Sequence, residues 1–294
     1  MGAKRAPERV GRLRERLLSG MAERGIPADV AEDVYEKILG FTGYGFPESH
    51  AQSFAHLVYA SAWLKRHYPA AFTAALVRNQ PMGFYSPQSL LADARRHGVE
   101  VRGVDVNASG AHPTLEEPVP VRSRHPHAPS APQPAIRLGL AGVRNLGEEA
   151  AEAIAAGRPY ASMEDLARRV PLSAAALEAL ATAGAFGCFG LSRREALWAA
   201  GALAGSGPDQ LEGATPGTVA PALPAMTPVE ETLADLWATG VSQTHPMAHV
   251  REALDELGAV PSEGLAQVPA ETNVVVAGLV THRQRPPTAG GWCS

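Results

Sequence analysis

Two glycine-punctuated segments carry residue types that could meet a phosphate. The first, Leu138-Gly139-Leu140-Ala141-Gly142-Val143-Arg144-Asn145-Leu146-Gly147 followed by EEAAEAI, has the form of a helix-hairpin-helix. Two glycines five apart allow a tight hairpin, and the backbone N–H groups that open the next helix can face a DNA phosphate without touching a base. The second segment, Leu177 to Gly190 (LEALATAGAFGCFG), repeats that form ahead of SRREALWAAG. Gly142, Val143, Arg144 and Gly147, with Gly184, Gly187, Arg193 and Arg194, are therefore the candidate DNA contacts. An ordinary pair of glycine-capped helices would show the same glycines. Residues 136–200 hold 7 basic and 7 acidic residues, so binding through these amides is expected to be weak and indifferent to sequence. Valine at Gly142 and Gly147 is expected to force disfavoured backbone angles and weaken it.

A third segment, Phe41-Thr42-Gly43-Tyr44-Gly45-Phe46-Pro47-Glu48-Ser49-His50, sets two aromatics between glycines and then places Ser and His at a helix start. Stacking surfaces beside hydrogen-bond donors make Tyr44, Phe46, Ser49 and His50 candidates to hold the ring, sugar or phosphate of a nucleotide. The competing reading is a buried aromatic corner with His50 as a cap. His245 and His249 stand four apart with no third ligand in sight, which argues against zinc. Cys188, beside Phe186 and Phe189, reads as a core thiol. No GxxxxGK[ST] loop, GxSxG elbow or Asp-x-Asp pair occurs, so no catalytic residue and no metal ligand is assigned.

The elements that must position these residues are mostly helical. Val10, Leu13, Leu17 and Met21 recur at helical spacing, and a helix from Pro27 carries Val30, Val34 and Ile38. Phe54, Leu57, Val58, Ala62 and Leu64 continue the pattern, Pro69 opens another helix, and Ser86 with Pro87 caps the next before Gly98. Val99 to Val106 and Ile136 to Leu140 suggest two short strands, separated by a Pro/Ser/His-rich loop containing HPHAPSAPQP. Ser162 with Asp165, Ser192 with Glu195, and Thr227 with Glu230 are capping-box-like starts. A lone β-run, Asn273 to Thr281, cannot bury its faces by itself. The fold class is mainly α with a small β element. Its divisions fall at residues 1–106 (helical), 107–135 (flexible loop), 136–204 (tandem hairpins), 205–226 (linker), 227–258 (helical connector) and 259–294 (incomplete β-domain).

With 294 residues and 45% hydrophobic content, the chain can bury one large or two modest cores. No long apolar run and no signal-peptide core is present, so a cytoplasmic location with no membrane partner is expected. Two cysteines, Cys188 and Cys293, cannot build a disulfide framework. The net charge of -4 hides an asymmetry: residues 1–199 carry 23 Lys+Arg against 20 Asp+Glu, and residues 200–294 carry 3 against 10. The Arg-rich first 24 residues suit phosphate contact or a solvated helix face equally.

FTGYGFPESHAQSFAHLVYASAWLKRHYPAAF, followed by QPMGFYSPQSLLADARRHGVEVRGVDVNAS, resembles the distal fingers of the alpha subunit of bacterial DNA polymerase III, a C-family polymerase. Pro47-Glu48 and QPMGFYSP are like the error-prone, damage-induced actinobacterial kind. LGLAGVRNLG and ATAGAFGCFGLSRREALWAAG resemble that family's tandem helix-hairpin-helix domain, and VAGLVTHRQRPPTAGG resembles the first strand of its OB-fold. The resemblance implies a fragment of a translesion polymerase, with DNA primer-template and deoxynucleotide as partners. It places Phe46, Ser49 and His50 on the nucleotide-facing wall, His50 near the incoming sugar, with Pro47 departing from the polar residue of replicative members. It also implies Mg²⁺ held by palm aspartates that are absent here, so the fragment alone is expected to bind no cofactor and to be inactive. The sequence Gln210-Leu211-Glu212 lacks the aromatic of a clamp-docking motif, which argues against direct sliding-clamp binding and leaves accessory proteins of the mutagenesis cassette as partners. A free-standing, non-catalytic DNA-binding or scaffold protein built from the same modules is the alternative.

Overall fold

The structure, a computed structural model, describes residues 11–43, 48–83, 85–123, 125–211 and 213–280. The chain divides into two compact units, Met1–Lys65 and Arg66–Ser294. In the first unit, helices α1 (Arg14–Ala22) and α2 (Ala28–Gly43) pack together. Ala31 and Tyr35 are buried, and the Arg14 guanidinium binds Glu32 at 2.5 Å while lying over the Tyr35 ring. Helix α3 (Glu48–His67) begins in this unit and ends in the second. Its apolar positions recur as expected, yet Phe54, Leu57, Val58, Tyr59, Trp63 and Leu64 all remain exposed.

The second unit starts with α4 (Pro69–Arg78) and α5 (Pro87–Arg96). Both have proline in the first turn, where the missing N–H costs nothing, and the Ser86 hydroxyl accepts the Ser89 amide at 3.2 Å. These helices lead into a three-stranded sheet in the order β1-β3-β2, with β1 at Val101–Arg102, β2 at Thr114–Val119 and β3 at Gln133–Arg137. β1 runs parallel to β3 with Val101 opposite Ile136, and β2 runs antiparallel to β3 with Leu115 opposite Ile136.

The valines of 99–106 therefore give a shorter strand than expected, with Val104 and Val106 buried beyond its end. Residues 107–135, expected to be a plain flexible loop, contain β2. TLEEPV hides it because an exposed edge strand tolerates charge and proline, and a register shift lies between Leu115 and Pro118.

Short helices follow: a 3-10 turn at Leu140–Gly142, α6 (Glu148–Gly157), α7 (Met163–Arg169), α8 (Ala174–Thr182), a 3-10 turn at Gly187–Phe189, and α9 (Arg193–Leu203). Their inward residues join the sheet and α4–α5 in one core, in which Leu91, Ile136, Leu140, Ile154, Leu180 and Phe186 are fully buried. Helix α10 (Pro228–Thr239) starts from a Thr227–Glu230 capping box and packs against α8, followed by α11 (Arg251–Glu256). The expected β-run after Asn273 forms no strand among the described residues. Among the described residues it makes a single bridge, Ala259 with Val275, and Val274, Val276 and Leu279 are exposed.

Candidate nucleic-acid interface

The first hairpin is built by Leu140, Val143 and Leu146, which point into the core and fix the loop between the sheet and α6. Most of its amides are already used. Gly142 N–H donates to Gly139 O, Val143 N–H to Leu140 O, Leu146 N–H to Val143 O, and Arg144 N–H reaches Ala238 O at 2.8 Å. Among those for which no acceptor is found in the described residues are the amides of the first turn of α6. Gly147 is its N-cap at φ 76°, supplies no side-chain cap, and precedes N–H groups that lie ahead of the helical ladder. Only Gly147 meets the expectation of a conformation closed to valine. Gly142 has no positive φ and open space where a Cβ would sit, so substitution there is not strained. Glu148 and Glu149 occupy the same first turn, and the Glu148 carboxylate lies 2.9 Å from His112 Nε2. These charges favour the helix dipole and oppose a second anion.

The second hairpin repeats the chain path with different chemistry. Gly184 takes φ 76°, and Gly190, which the spacing did not single out, is its left-handed residue. Gly187 has no positive φ and faces open space. The α9 N-terminus is closed by its own residues: Ser192 Oγ accepts the Glu195 amide, and Glu195 Oε2 accepts the Ser192 amide at 2.8 Å. That closure leaves fewer orphan donors than at α6.

The three arginines expected on DNA make contacts with α10. Arg193 donates to Asp235 at 2.7 Å and to the carbonyls of Thr182 and Glu231, with side-chain exposures of 20% for Arg193 and 12% for Asp235. Arg194 binds Glu230 at 3.0 Å. Arg144 donates to Trp237 O and sits 4.9 Å from the centre of that ring. Spacing alone missed these contacts. The signal that could have found them was the acidic, capped helix of a tail otherwise poor in lysine and arginine.

Between the sheet and α9 lies a cleft of about 840 Å³ lined by Arg102, Arg137, Arg193 and Arg194. It is charge-compensated. Glu116 accepts from Arg137 at 2.7 Å and from Arg102 at 2.5 Å, and these hydrogen bonds hold its carboxyl below the usual carboxylate range.

Of the nucleotide candidates, Tyr44 and Phe46 lie outside the described residues. The backbone of Ser49 is in α3, and its side chain also lies outside the description. His50 is exposed on α3, its ring edge-on to Phe54 at 4.4 Å. His245 caps a 3-10 turn by accepting the Met247 amide, and His249 Nε2 lies 2.7 Å from Thr232 Oγ1. Among the described residues no group of three or more His, Cys, Asp or Glu side chains is placed to hold a metal ion, so the described donors do not fit the implied Mg²⁺. Cys188 is exposed rather than in the core, while Phe186 beside it is fully buried and Phe189 partly so. No described helix is long and apolar enough to cross a membrane.

The helix-hairpin-helix motif family matches residues 98–196, which span β1 to the start of α9. The chain is 53% identical over 99% of its length to the error-prone DNA polymerase of Mycolicibacterium paratuberculosis, 54% to that of Mycobacterium tuberculosis and 53% to that of Nocardia farcinica. It is thus homologous to a stretch of these proteins and spans about a quarter of their length.

Proposed function

We propose that this chain is a DNA-holding part of an error-prone, C-family DNA polymerase of the damage-induced kind, and that it contributes no metal-bound catalysis of its own. The observation that carries the reading is the open N-terminus of α6, placed by a hairpin inside the region that matches the helix-hairpin-helix family. A phosphate of duplex DNA would be received by the first-turn amides after Gly147, without base contact. The second hairpin is the structural partner, its cap closed and its arginines committed to α10. Residues before Glu48 and at the start of α3, with His50 among them, would form the deoxynucleotide-facing wall. Residues 259–294 would be the beginning of an OB-fold. Accessory proteins rather than the sliding clamp would bring the polymerase to lesions.

The test is a titration of the full chain with a short duplex at low and moderate salt. Weak, sequence-indifferent binding that falls with salt is expected. Gly147→Val should weaken it, and the double change Glu148→Gln/Glu149→Gln should strengthen it severalfold by removing two negative charges from the phosphate site. With both proteins shown to be folded, unchanged affinity in the two variants would remove α6 from the interface.

A further inference from the structure

The segment joining β2 to β3 is fastened to the C-terminal end of α5 by a run of histidines that the DNA-holding role does not use. The ring of His97, buried just after α5, lies 4.3 Å from that of His125, which in turn lies 5.6 Å from that of His127. Around this stack the backbone is buttoned down. Ser123 Oγ donates to Arg96 O at 2.5 Å, and the Arg66 guanidinium donates to the carbonyls of His127 and Ala128. Gly98 lets the segment approach so closely that a Cβ there would fall 2.6 Å from Val121 Cγ1.

One contact ties the geometry to protonation. The His127 amide donates to Nδ1 of His125 at 3.2 Å, so that nitrogen must carry a lone pair. His97 Nδ1 lies 2.8 Å from Asp93 O and 3.7 Å from the Asp93 carboxylate.

We propose that the His97–His125–His127 stack is a protonation-sensitive latch: with His125 neutral it holds residues 121–123 and 125–128 against the end of α5, and with His125 protonated it releases them. A proton on Nδ1 removes the acceptor of the His127 amide and sets a cation against two imidazoles. The groups that bear on His125 are Asp93 and Arg96 from α5, His97 just after it and His127 from its own segment, and the Arg66 guanidinium from α3 lies on the carbonyls of His127 and Ala128. Partial burial, then the imidazoles of His97 and His127, pull its pKa below the ordinary 6.5; Asp93 opposes them, and Arg96 adds to them. The closed state therefore prefers the neutral ring. The latch is at full strength above pH 6.5 and weakens as the pH falls below that value.

Hydrogen exchange of the full chain between pH 7.5 and 5.5, with labelling times scaled for the intrinsic pH dependence, reads the latch directly. Protection of the amides of His125, His127 and Ala128 should fall as the pH drops below 6.5, while the β3 amides stay protected. Two variants assign the proton. His125→Asn keeps an acceptor for the amide two residues on, and His125→Phe keeps a ring beside His97. The pH step should vanish in both, whatever their level of protection. Wild-type protection that persists at pH 5.5 overturns the proposal, and so does a step of wild-type midpoint and size in either variant.

Discussion

Arg193 illustrates why residue type and spacing identify a site only up to its partners. An arginine at the first position of a hairpin's second helix suits a DNA phosphate, yet a carboxylate two turns into another helix satisfies the same guanidinium. Asp235 does so here at 2.7 Å, in a pair largely withdrawn from water. Breaking such a pair leaves a charge buried and alone, so Arg193→Ala should cost about 3 kcal/mol of stability. Arg194→Ala removes a more exposed pair with Glu230 and should cost less than about 1 kcal/mol. Thermal unfolding of the two variants checks the order, and an equal loss would place Arg193 outside the core. The glycines were more legible. Gly147 and Gly184 were singled out by spacing, and both take the positive φ that spacing implies. Gly142 and Gly187 were equally prominent in the sequence but hold ordinary angles, because a glycine's presence does not state which conformation it uses.

Helices with a chemical start signal could be read at the scale of elements. Ser86, Ser162, Ser192 and Thr227 each accept the amide three residues on, as their spacing suggested. Replacing Ser192 by Ala would open the one cap that distinguishes the second hairpin from the first, at a cost of about 1 kcal/mol. Strands were harder to read. The edge strand β2 buries little on either face, so it lacks the alternation that announces a half-buried strand. The run after Asn273 has the composition of a strand and, among the described residues, pairs only through the bridge at Val275. Since Val260 N–H to Val275 O is its main backbone tie, deletion of residues 259–294 should leave the helical circular dichroism and thermal midpoint of the rest nearly unchanged. The deletion should also improve solubility by removing exposed Val276, Leu279 and Val280. A drop in midpoint of more than a few degrees would show that this segment is integrated into the fold.

At the scale of the whole molecule, the proposed role separates holding DNA from acting on it. Nucleotide addition by a two-metal route needs carboxylates that converge on both ions and bridge the reacting phosphate. The sequence has no Asp-x-Asp pair, and four of the described acidic residues are spent elsewhere: Asp235 on Arg193, Glu116 on Arg102 and Arg137, Glu195 and Glu230 on helix caps. Removing any of these from its partner would leave a cation or an amide unsatisfied, so they are not a reserve from which a metal site could be assembled on binding DNA. The purified chain, supplied with Mg²⁺, primed template and all four deoxynucleotides, should therefore extend no primer above the buffer background. It should nevertheless retard the same primed template in a low-salt gel. Template-dependent extension by the pure protein would show that a metal-binding set exists in this chain and would overturn the division of labour. Inactivity together with no DNA retention would instead favour a scaffold that has kept the hairpin fold without its ligand.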